Sequence, residues 1–507
     1  MNIVHPYIKY GLAITMVNNG IDNSSGITNE NLKEEIQRGI NCFRVKPKND
    51  DRTKPEIKYE FVDEEKGAPT LGIYLSPFIL SDDRGAVKVI KALKELISKL
   101  NSNKISKIDI TRSISPLSGE YGSFGKSIGR GKPKTDIFSA ACCAITTSSP
   151  LKPAMAYKTF NKGKFERENV AVLPDLEINE LIDFINLFNK LKDSATQKLM
   201  IGSVKDGKPF RPKLFDGNFP YAPKTSALGS VALLGAIGNW GKEAKNIDWA
   251  KKVLDSLVDK PIYLIGNKTF ETFRYNHYIV DLAKDSKLSS IIDSIYHTVL
   301  YNKGIRKSSP KKELDNRIEY QKFDLFASRF LQLFNRPAFK DFLSFRAEYP
   351  HQVEPLFKTY FINMEKVNEK TVQSAHALGK WLNYAAYLVA KAEAAEKGKD
   401  ELKKAKAKAL IEIESSIFSA RSGDALIFQA VTRAGRLSKT DAPSESELFM
   451  TQTATGEISL ETAKHLLIAF SRVMNKIERK ENPPEIDSVI GIDDSEPDLN
   501  SISDAQE

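Results

Sequence analysis

Helical periodicity without any strand signal extends over residues 320–480 of this 507-residue chain. Within 372–391 the apolar residues recur three or four positions apart, as they do on one face of an α-helix. Similar stripes predict helices over 400–418, 425–433 and 460–479, after an aromatic-rich start at 323–345. Helices with one apolar face bury it against each other, so residues 320–480 are predicted to form an all-helical bundle.

The first 300 residues combine helix and strand patterns. Helices are predicted over 7–18, 85–100, 177–191 and 246–258. A strand or a strand end is predicted at 72–80, and a strand that Pro174 ends is predicted at 170–173. Two segments rich in Gly, Pro, Ser and Lys, 115–135 and 205–224, are predicted to be irregular.

The chain length supports a division into domains, because a single hydrophobic core stops growing at roughly 250–300 residues. We therefore predict an α+β protein with a mixed α/β domain over 1–305 and the helical bundle over 320–480, joined by a basic hinge at 301–317. The segment 481–507 contains nine acidic residues and no Lys or Arg, so it is predicted to be a disordered acidic tail.

The charge of the chain favours a polyanionic ligand. Residues 1–480 carry a formal charge of +19, because the acidic tail lowers the value for the whole chain to +10. A body this basic attracts polyanions at long range, and nucleic acid is the favoured one. A lysine-rich solvated surface and an anionic membrane surface are the alternatives.

The cysteines and the apolar runs favour a soluble protein of the reducing cytoplasm. Cys42, Cys142 and Cys143 form no C-x-x-C motif, so neither a disulfide framework nor a cysteine zinc site is indicated. The N-terminus lacks the pattern of a signal peptide. The apolar runs are also far shorter than the ~20 residues that cross a bilayer.

The segment 121–135, YGSFGKSIGRGKPKT, combines glycine with positive charge. Glycine lets a backbone approach phosphates closely, Lys and Arg neutralise them, and an aromatic ring can stack on a base. The candidate nucleic-acid-binding residues in it are Ser123, Phe124, Lys126, Arg130, Lys132 and Lys134. A Walker A motif is rejected because Glu120 stands where a glycine is required. A flexible surface connection is the alternative.

The segment 205–224, KDGKPFRPKLFDGNFPYAPK, interleaves Lys208, Arg211 and Lys213 with four aromatic residues. Basic side chains between aromatic rings are typical of a single-strand groove or of a wedge that opens a duplex. A proline-rich loop that its aromatic residues pin to the core is an equally ordinary interpretation.

Two further basic groups are candidates for the same role. Arg306 and Lys307 belong to the basic hinge, for which a solvated linker is the ordinary alternative. Arg421, Arg433 and Arg436 lie near two glycines in the bundle. Such residues at helix ends can hold phosphates, or they can cap their own helices.

Patterns typical of catalysis are sparse. The six histidines form no H-x-x-x-H pair, and the sequence contains no G-x-S-x-G motif. Pro174-Asp175, followed much later by Glu243-Ala244-Lys245, resembles a nuclease core only loosely. We therefore expect no enzymatic activity, no metal site and no cofactor.

Four stretches, taken in order, resemble the large subunit of the type I CRISPR surveillance complex, Cascade. They are HPYIKYGLAITMVNN at the start, the Gly- and Lys-rich loop, VAVLPDLEINELIDFINLF, and FASRFLQLFNRPAFKDFLSFRAEYP. That family has no short signature, so the resemblance lies in the order of the parts.

The resemblance implies a non-catalytic subunit that acts in antiviral defence. Its N-terminal domain would recognise the protospacer-adjacent motif in duplex DNA and help to open the strands, while its bundle would resemble the small subunit. The implied partners are CRISPR RNA, target DNA, the Cascade backbone and small subunits, and a helicase-nuclease recruited after target binding; no membrane is implied. Guide pairing would supply most of the sequence specificity. A nucleoprotein that coats RNA and, less favoured, a metal-dependent nuclease are the alternatives.

Overall fold

The structure is a computed structural model of the chain. It describes residues 5–48, 55–62, 74–76, 78–80, 86–102, 107–116, 134–161, 164–205, 207–220, 229–289, 348–349, 354–394 and 399–474. Within these ranges, no helix combines the length and the apolar character that crossing a bilayer requires.

Residues 5–289 contain both helices and strands. Helices α1 to α8 are Pro6–Asn19, Asn29–Asn41, Ala86–Leu100, Ile137–Ser148, Ile178–Leu199, Gly229–Glu243, Ile247–Ser256 and His277–Lys284. Strands β1 to β11 are Arg44–Pro47, Glu56–Val62, Tyr74–Leu75, Lys107–Asp109, Lys134–Asp136, Ala154–Asn161, Lys164–Pro174, Ile201–Lys205, Lys208–Pro209, Ile262–Ile265 and Phe270–Phe273.

Helix α1 lies at the centre of this part and packs against α4 and α5. Its sequence is apolar almost all round, which is typical of a helix with core on every side. Its two buried tyrosines still satisfy their hydroxyl groups: Tyr7 shares a 2.7 Å hydrogen bond with Thr147, and Tyr10 donates to the Leu151 carbonyl over 3.1 Å. Helix α1 therefore connects the hydrophobic core around α4 and α5 with the core next to the sheets.

The strands form three antiparallel sheets. One has the order β11-β10-β7-β6, a second has the order β3-β1-β2-β8-β9, and β4 pairs with β5. A small separate cluster of buried apolar residues lies beneath the five-stranded sheet. It comprises Val45, Ile57, Tyr59, Ala195, Leu199, Met200 and Leu214. The C-terminal end of α5 therefore supports this sheet.

The described residues from 348 to 474 are helical. Helices α9 to α14 are Glu354–Thr359, Glu369–Ala394, Lys399–Ser419, Gly423–Ser438, Glu447–Ala454 and Leu460–Ser471. Helix α10 is central and packs against α11, α12, α13 and α14. An isolated bridge between Tyr349 and Val473 ties the start of this region to its end.

The predicted fold class is confirmed: the chain is α+β, with a mixed N-terminal half and a helical C-terminal region. The helices predicted at 7–18, 85–100 and 246–258 and the strand that Pro174 ends all form. The helices predicted at 323–345, the hinge and the acidic tail lie outside the described residues. The domain boundaries at 305, 320 and 480 remain predictions.

Several local predictions were wrong. Among the described residues of 72–80, only Tyr74–Leu75 form a strand. Residues 134–136 form β5, and 205–216 contain strand and 3₁₀-helical structure, so neither segment predicted to be irregular is irregular throughout. The helix predicted over 460–479 ends at Ser471. Beyond Ser471 the chain is no longer helical, and Val473 forms an isolated β-bridge with Tyr349.

Candidate nucleic-acid interface

The basic residues of 205–224 lie at an edge of the five-stranded sheet. Strands β8 and β9 form a tight hairpin in which Lys205 pairs with Lys208. Gly207 completes its turn at a φ of 70°, a left-handed conformation that glycine adopts without strain. The Asp206-Gly207 dipeptide is the usual sequence signal for such a turn, so this hairpin could have been predicted.

The five-stranded sheet curls until its two edges meet. Tyr74 lies on edge strand β3 and Pro209 on edge strand β9, yet the Tyr74 hydroxyl donates to the Pro209 carbonyl over 3.3 Å. Inside the curl, the Tyr59 hydroxyl donates to the Phe210 carbonyl over 2.8 Å. Burial raises the pKa of Tyr59, so its hydroxyl stays protonated and able to donate.

Arg211 lies where the two edges meet, between two aromatic rings. Its guanidinium carbon is 5.7 Å from the centre of the Tyr74 ring and 5.4 Å from that of Phe215. The two rings contact each other edge to face, with 5.3 Å between their centres. Cation–π contacts of this kind hold an arginine in place, so Arg211 is a fixed positive charge beside the exposed Lys208 and Lys213. We refer to Lys208, Arg211 and Lys213 as the basic edge.

The convex face of the same sheet adds further positive charge. Val45, Ile57 and Tyr59 point into the small core, and side chains alternate along a strand, so their neighbours point outward. The outward charged side chains that the structure describes are Arg44, Lys46, Lys58, Lys208, Glu56 and Glu60. Lys46 pairs with Glu60 at 3.6 Å. Basic residues therefore outnumber acidic ones on this face, which continues the charge of the basic edge.

The second half of 205–224 is pinned to the protein core. Phe219 is only 1% exposed, and Leu214 belongs to the small core beneath the sheet. The Asn218 amide group donates to the Lys152 carbonyl over 2.7 Å and accepts from the Ala154 backbone over 2.9 Å. In this half of the segment the structure follows the second interpretation, a loop that an aromatic residue, Phe219, pins to the core.

Lys134 is part of a strand and not of the glycine-rich loop. It begins β5 and lies directly opposite Asp109 of β4. At the other end of β5, Asp136 accepts from the Ser139 backbone over 2.8 Å and caps α4. The remaining candidates Ser123, Phe124, Lys126, Arg130 and Lys132, together with Arg306 and Lys307, lie outside the described residues.

The three arginines of the bundle lie on or next to α12. Arg433 donates to the Ser416 hydroxyl over 2.8 Å and pairs with Glu412 at 3.4 Å. Arg421 and Arg436 are exposed. The principal contacts of α12 are with α10, α11, α13 and α14, so the structure does not bring these arginines to the basic edge.

Asp175, the first carboxylate of the loose nuclease pattern, is held by contacts with other side chains of the fold. Asp175 accepts from the Lys9 ammonium group over 2.6 Å and from the Tyr263 hydroxyl over 3.4 Å. Burial, together with the charge of Asp175, raises the pKa of Tyr263. In the part of the chain that the structure describes, no three His, Cys, Asp or Glu side chains are grouped so as to hold a metal ion.

Sequence reasoning missed the residues that complete the basic edge. Tyr59, Tyr74, Arg44, Lys46 and Lys58 come from strands more than 100 residues earlier in the chain. The alternation in EIKYEFV over 56–62 is a strand signal that could have revealed β2. Nothing in the local sequence indicates that β2 pairs with β8, because the two strands are far apart in the chain.

A family model described as CRISPR-associated protein Csp2 matches residues 5–474. The match includes the four stretches that carry the resemblance to Cascade and ends before the acidic segment. No curated protein and no solved structure matches the chain.

Proposed function

The chain belongs to the CRISPR-associated protein Csp2 family, a family of type I, Cascade-type subunits, and we propose that it is a non-catalytic subunit that binds target DNA. In this role it recognises the protospacer-adjacent motif in the duplex and helps to separate the strands. It works with CRISPR RNA and the backbone and small subunits, and a helicase-nuclease acts after target binding.

The basic edge is the observation that carries this proposal. Arg211 is fixed between Tyr74 and Phe215, while Lys208 and Lys213 extend into solvent beside it. Phosphate contacts from Lys and Arg supply most of the affinity of a protein for DNA and set its position on the duplex. Arg211 adds its charge to that of the two lysines at the place where the two edges of the sheet meet. The basic edge therefore serves in this proposal as the element that positions the duplex.

Salt-dependent binding of the full chain to a labelled DNA duplex tests the proposal. Each phosphate contact contributes about 0.9 to the slope of log K against log salt. If Lys208 and Lys213 each hold one phosphate, Lys208→Ala/Lys213→Ala flattens the slope by about 1.8 and weakens binding.

The matched control is Lys251→Ala/Lys252→Ala, which removes the same charge from exposed positions of α7. It should leave the slope close to that of the unaltered protein. An unchanged slope in the first variant, or an equal change in the control, contradicts the assignment. Divalent-metal-dependent cleavage by the isolated chain would contradict the non-catalytic role.

A further inference from the structure

Strand β11 forms one edge of the four-stranded sheet, and among the described residues β10 is its one strand partner. The β10–β11 hairpin closes where the Gly266 backbone N–H donates to the Thr269 carbonyl over 2.8 Å. Hydrogen-bonded and non-hydrogen-bonded pairs alternate along an antiparallel ladder, so the next pair, Ile265 with Phe270, is not hydrogen-bonded. Phe270 and, two positions on, Thr272 therefore direct their N–H and C=O groups away from β10.

The pairing of β10 with β7 leads to the same assignment. The Asp175 N–H donates to the Pro261 carbonyl over 2.8 Å, so Pro261 faces β7, as do the residues two and four positions further along. The residues between them, Ile262 and Leu264, direct their backbone groups to β11. The outward backbone groups of β11 are thus a template for a further strand. We refer to this outward side of Phe270–Phe273 as the β11 edge.

Side chains at the β11 edge alternate in exposure, as they do on a strand with one face in solvent. The exposed ones are Lys268, Phe270, Thr272 and Arg274. Phe270 is 53% exposed, although its ring stacks on that of Tyr263 with 5.8 Å between the ring centres. Glu168 of β7 accepts from the Lys268 backbone at the hairpin turn. The exposed face therefore presents an aromatic and a β-branched side chain with a basic residue at each end.

The acidic C-terminal segment contains one stretch with the composition of a strand. Residues 486–493, which lie outside the described residues, have the sequence IDSVIGID, and four of the eight are branched apolar residues. Alternation along a strand would place one set of these side chains on a common face. The set comprises Asp487, Val489, Gly491 and Asp493. Its two aspartates are six positions apart, as are Lys268 and Arg274.

We propose that residues 486–493 of the same chain add to the β11 edge as an antiparallel fifth strand. In this register Asp487 lies beside Arg274. Asp493 lies beside Lys268, so opposite charges meet at both ends of the added strand. The rest of the sheet is antiparallel, and antiparallel pairing is slightly the more stable arrangement.

The positions between the charged ends also match. Val489 stands opposite Thr272, which pairs two β-branched side chains. Gly491 stands opposite Phe270, whose ring can cover the glycine backbone. The twelve residue steps that separate residue 486 from the last described residue span up to about 40 Å, which sets the reach of docking within one molecule.

The added strand would cover an edge that is otherwise open to pairing with other chains. The inference goes beyond the proposed function, because it concerns a contact of the chain with itself and a different sheet from the one that carries the basic edge. It can therefore be tested without nucleic acid.

Hydrogen exchange of the full chain, resolved to single amides by mass spectrometry, is the first test. A strand that is docked about 90% of the time slows exchange of the amides it covers about 10-fold. Val489→Pro removes the N–H that the Thr272 carbonyl accepts, so exchange at Phe270 and Thr272 should become about 10-fold faster. The matched control is Ser488→Pro, which places proline where the N–H points to solvent and should leave both rates within 2-fold.

The second test is cross-linking. A photoreactive phenylalanine analogue at position 272 of the full chain should form an adduct with residues 486–493 of the same molecule. The same analogue at position 252, an exposed position of α7, should not. Adducts that join two molecules, or none to this stretch, overturn the inference. Exchange rates that respond equally to both proline variants, or to neither, overturn it as well. Each of these failures leaves the proposed function standing.

Discussion

Replacement of Arg472 by Met should strongly destabilise the helical region. Arg472 follows α14 and Glu414 lies on α11, and their side chains are only 3% and 7% exposed. The guanidinium makes two hydrogen bonds to the carboxylate, one of them 2.6 Å long. Burial alone would lower the pKa of Arg472, but the hydrogen bonds and charge of Glu414 outweigh it and raise the pKa. The arginine therefore remains charged inside the protein.

The Arg472→Met variant leaves a buried carboxylate without its partner, which costs about 3–5 kcal/mol. In a domain of about 150–250 residues that unfolds cooperatively, each kcal/mol of lost stability lowers the midpoint of thermal unfolding by about 2–4 °C. The midpoint followed by circular dichroism should therefore fall by about 6–20 °C. Arg472→Met/Glu414→Leu removes both charges and should restore the midpoint, because an apolar pair can replace a buried ion pair without loss.

The control is Lys404→Met, which breaks the exposed 2.8 Å pair of Lys404 with Glu401 on the same helix α11. Exposed pairs contribute at most about 1 kcal/mol, so its midpoint should move by no more than about 4 °C. The reasoning is refuted if Arg472→Met shifts the midpoint no more than this control. It is also refuted if the double variant is as unstable as the single one.

Two further predictions concern single side chains. Tyr59→Phe removes the 2.8 Å hydrogen bond to the Phe210 carbonyl. It should lower the free energy of unfolding by about 1 kcal/mol and weaken duplex binding. Unchanged chemical denaturation and unchanged binding would show that this bond does not hold the basic edge. Burial alone would raise the pKa of Glu354, but His376, 2.9 Å away, and the hydrogen-bonded Lys358 outweigh it and hold the pKa at about 2. Glu354 therefore stabilises the fold above its ordinary pKa of about 4.5, and this contribution disappears as the pH falls toward 2. The midpoint difference between the unaltered chain and Glu354→Gln should shrink between pH 5 and pH 2, whereas a constant difference would contradict the shifted pKa.

Local periodicity predicted the helices better than it predicted the sheets. The helix predicted at 177–191 extends to Leu199, because Leu191, Ala195 and Leu199 continue its stripe into a polar stretch. Helix α6 was not predicted, since its glycines lower helix propensity. Gly238 in that helix is required by close packing: a Cβ there would lie 1.8 Å from the Ala283 carbonyl oxygen.

In the candidate site, too, local sequence predicted the residues that are neighbours in the chain and missed those that are distant. Lys208, Arg211 and Lys213 are neighbours in sequence, and they were predicted together. Tyr59 and Tyr74 lie beside them because strands that are distant in sequence pair with each other and the sheet curls until its edges meet.

Cross-linking from the basic edge to DNA tests the central claim most directly. A photoreactive phenylalanine analogue at position 213, in the full chain with a labelled duplex, should form a covalent adduct with the DNA. The same analogue at position 252, which is also exposed, should not. Equal adduct yields from both positions, or none from position 213 under conditions where the chain binds the duplex, would contradict the placement of DNA at this sheet.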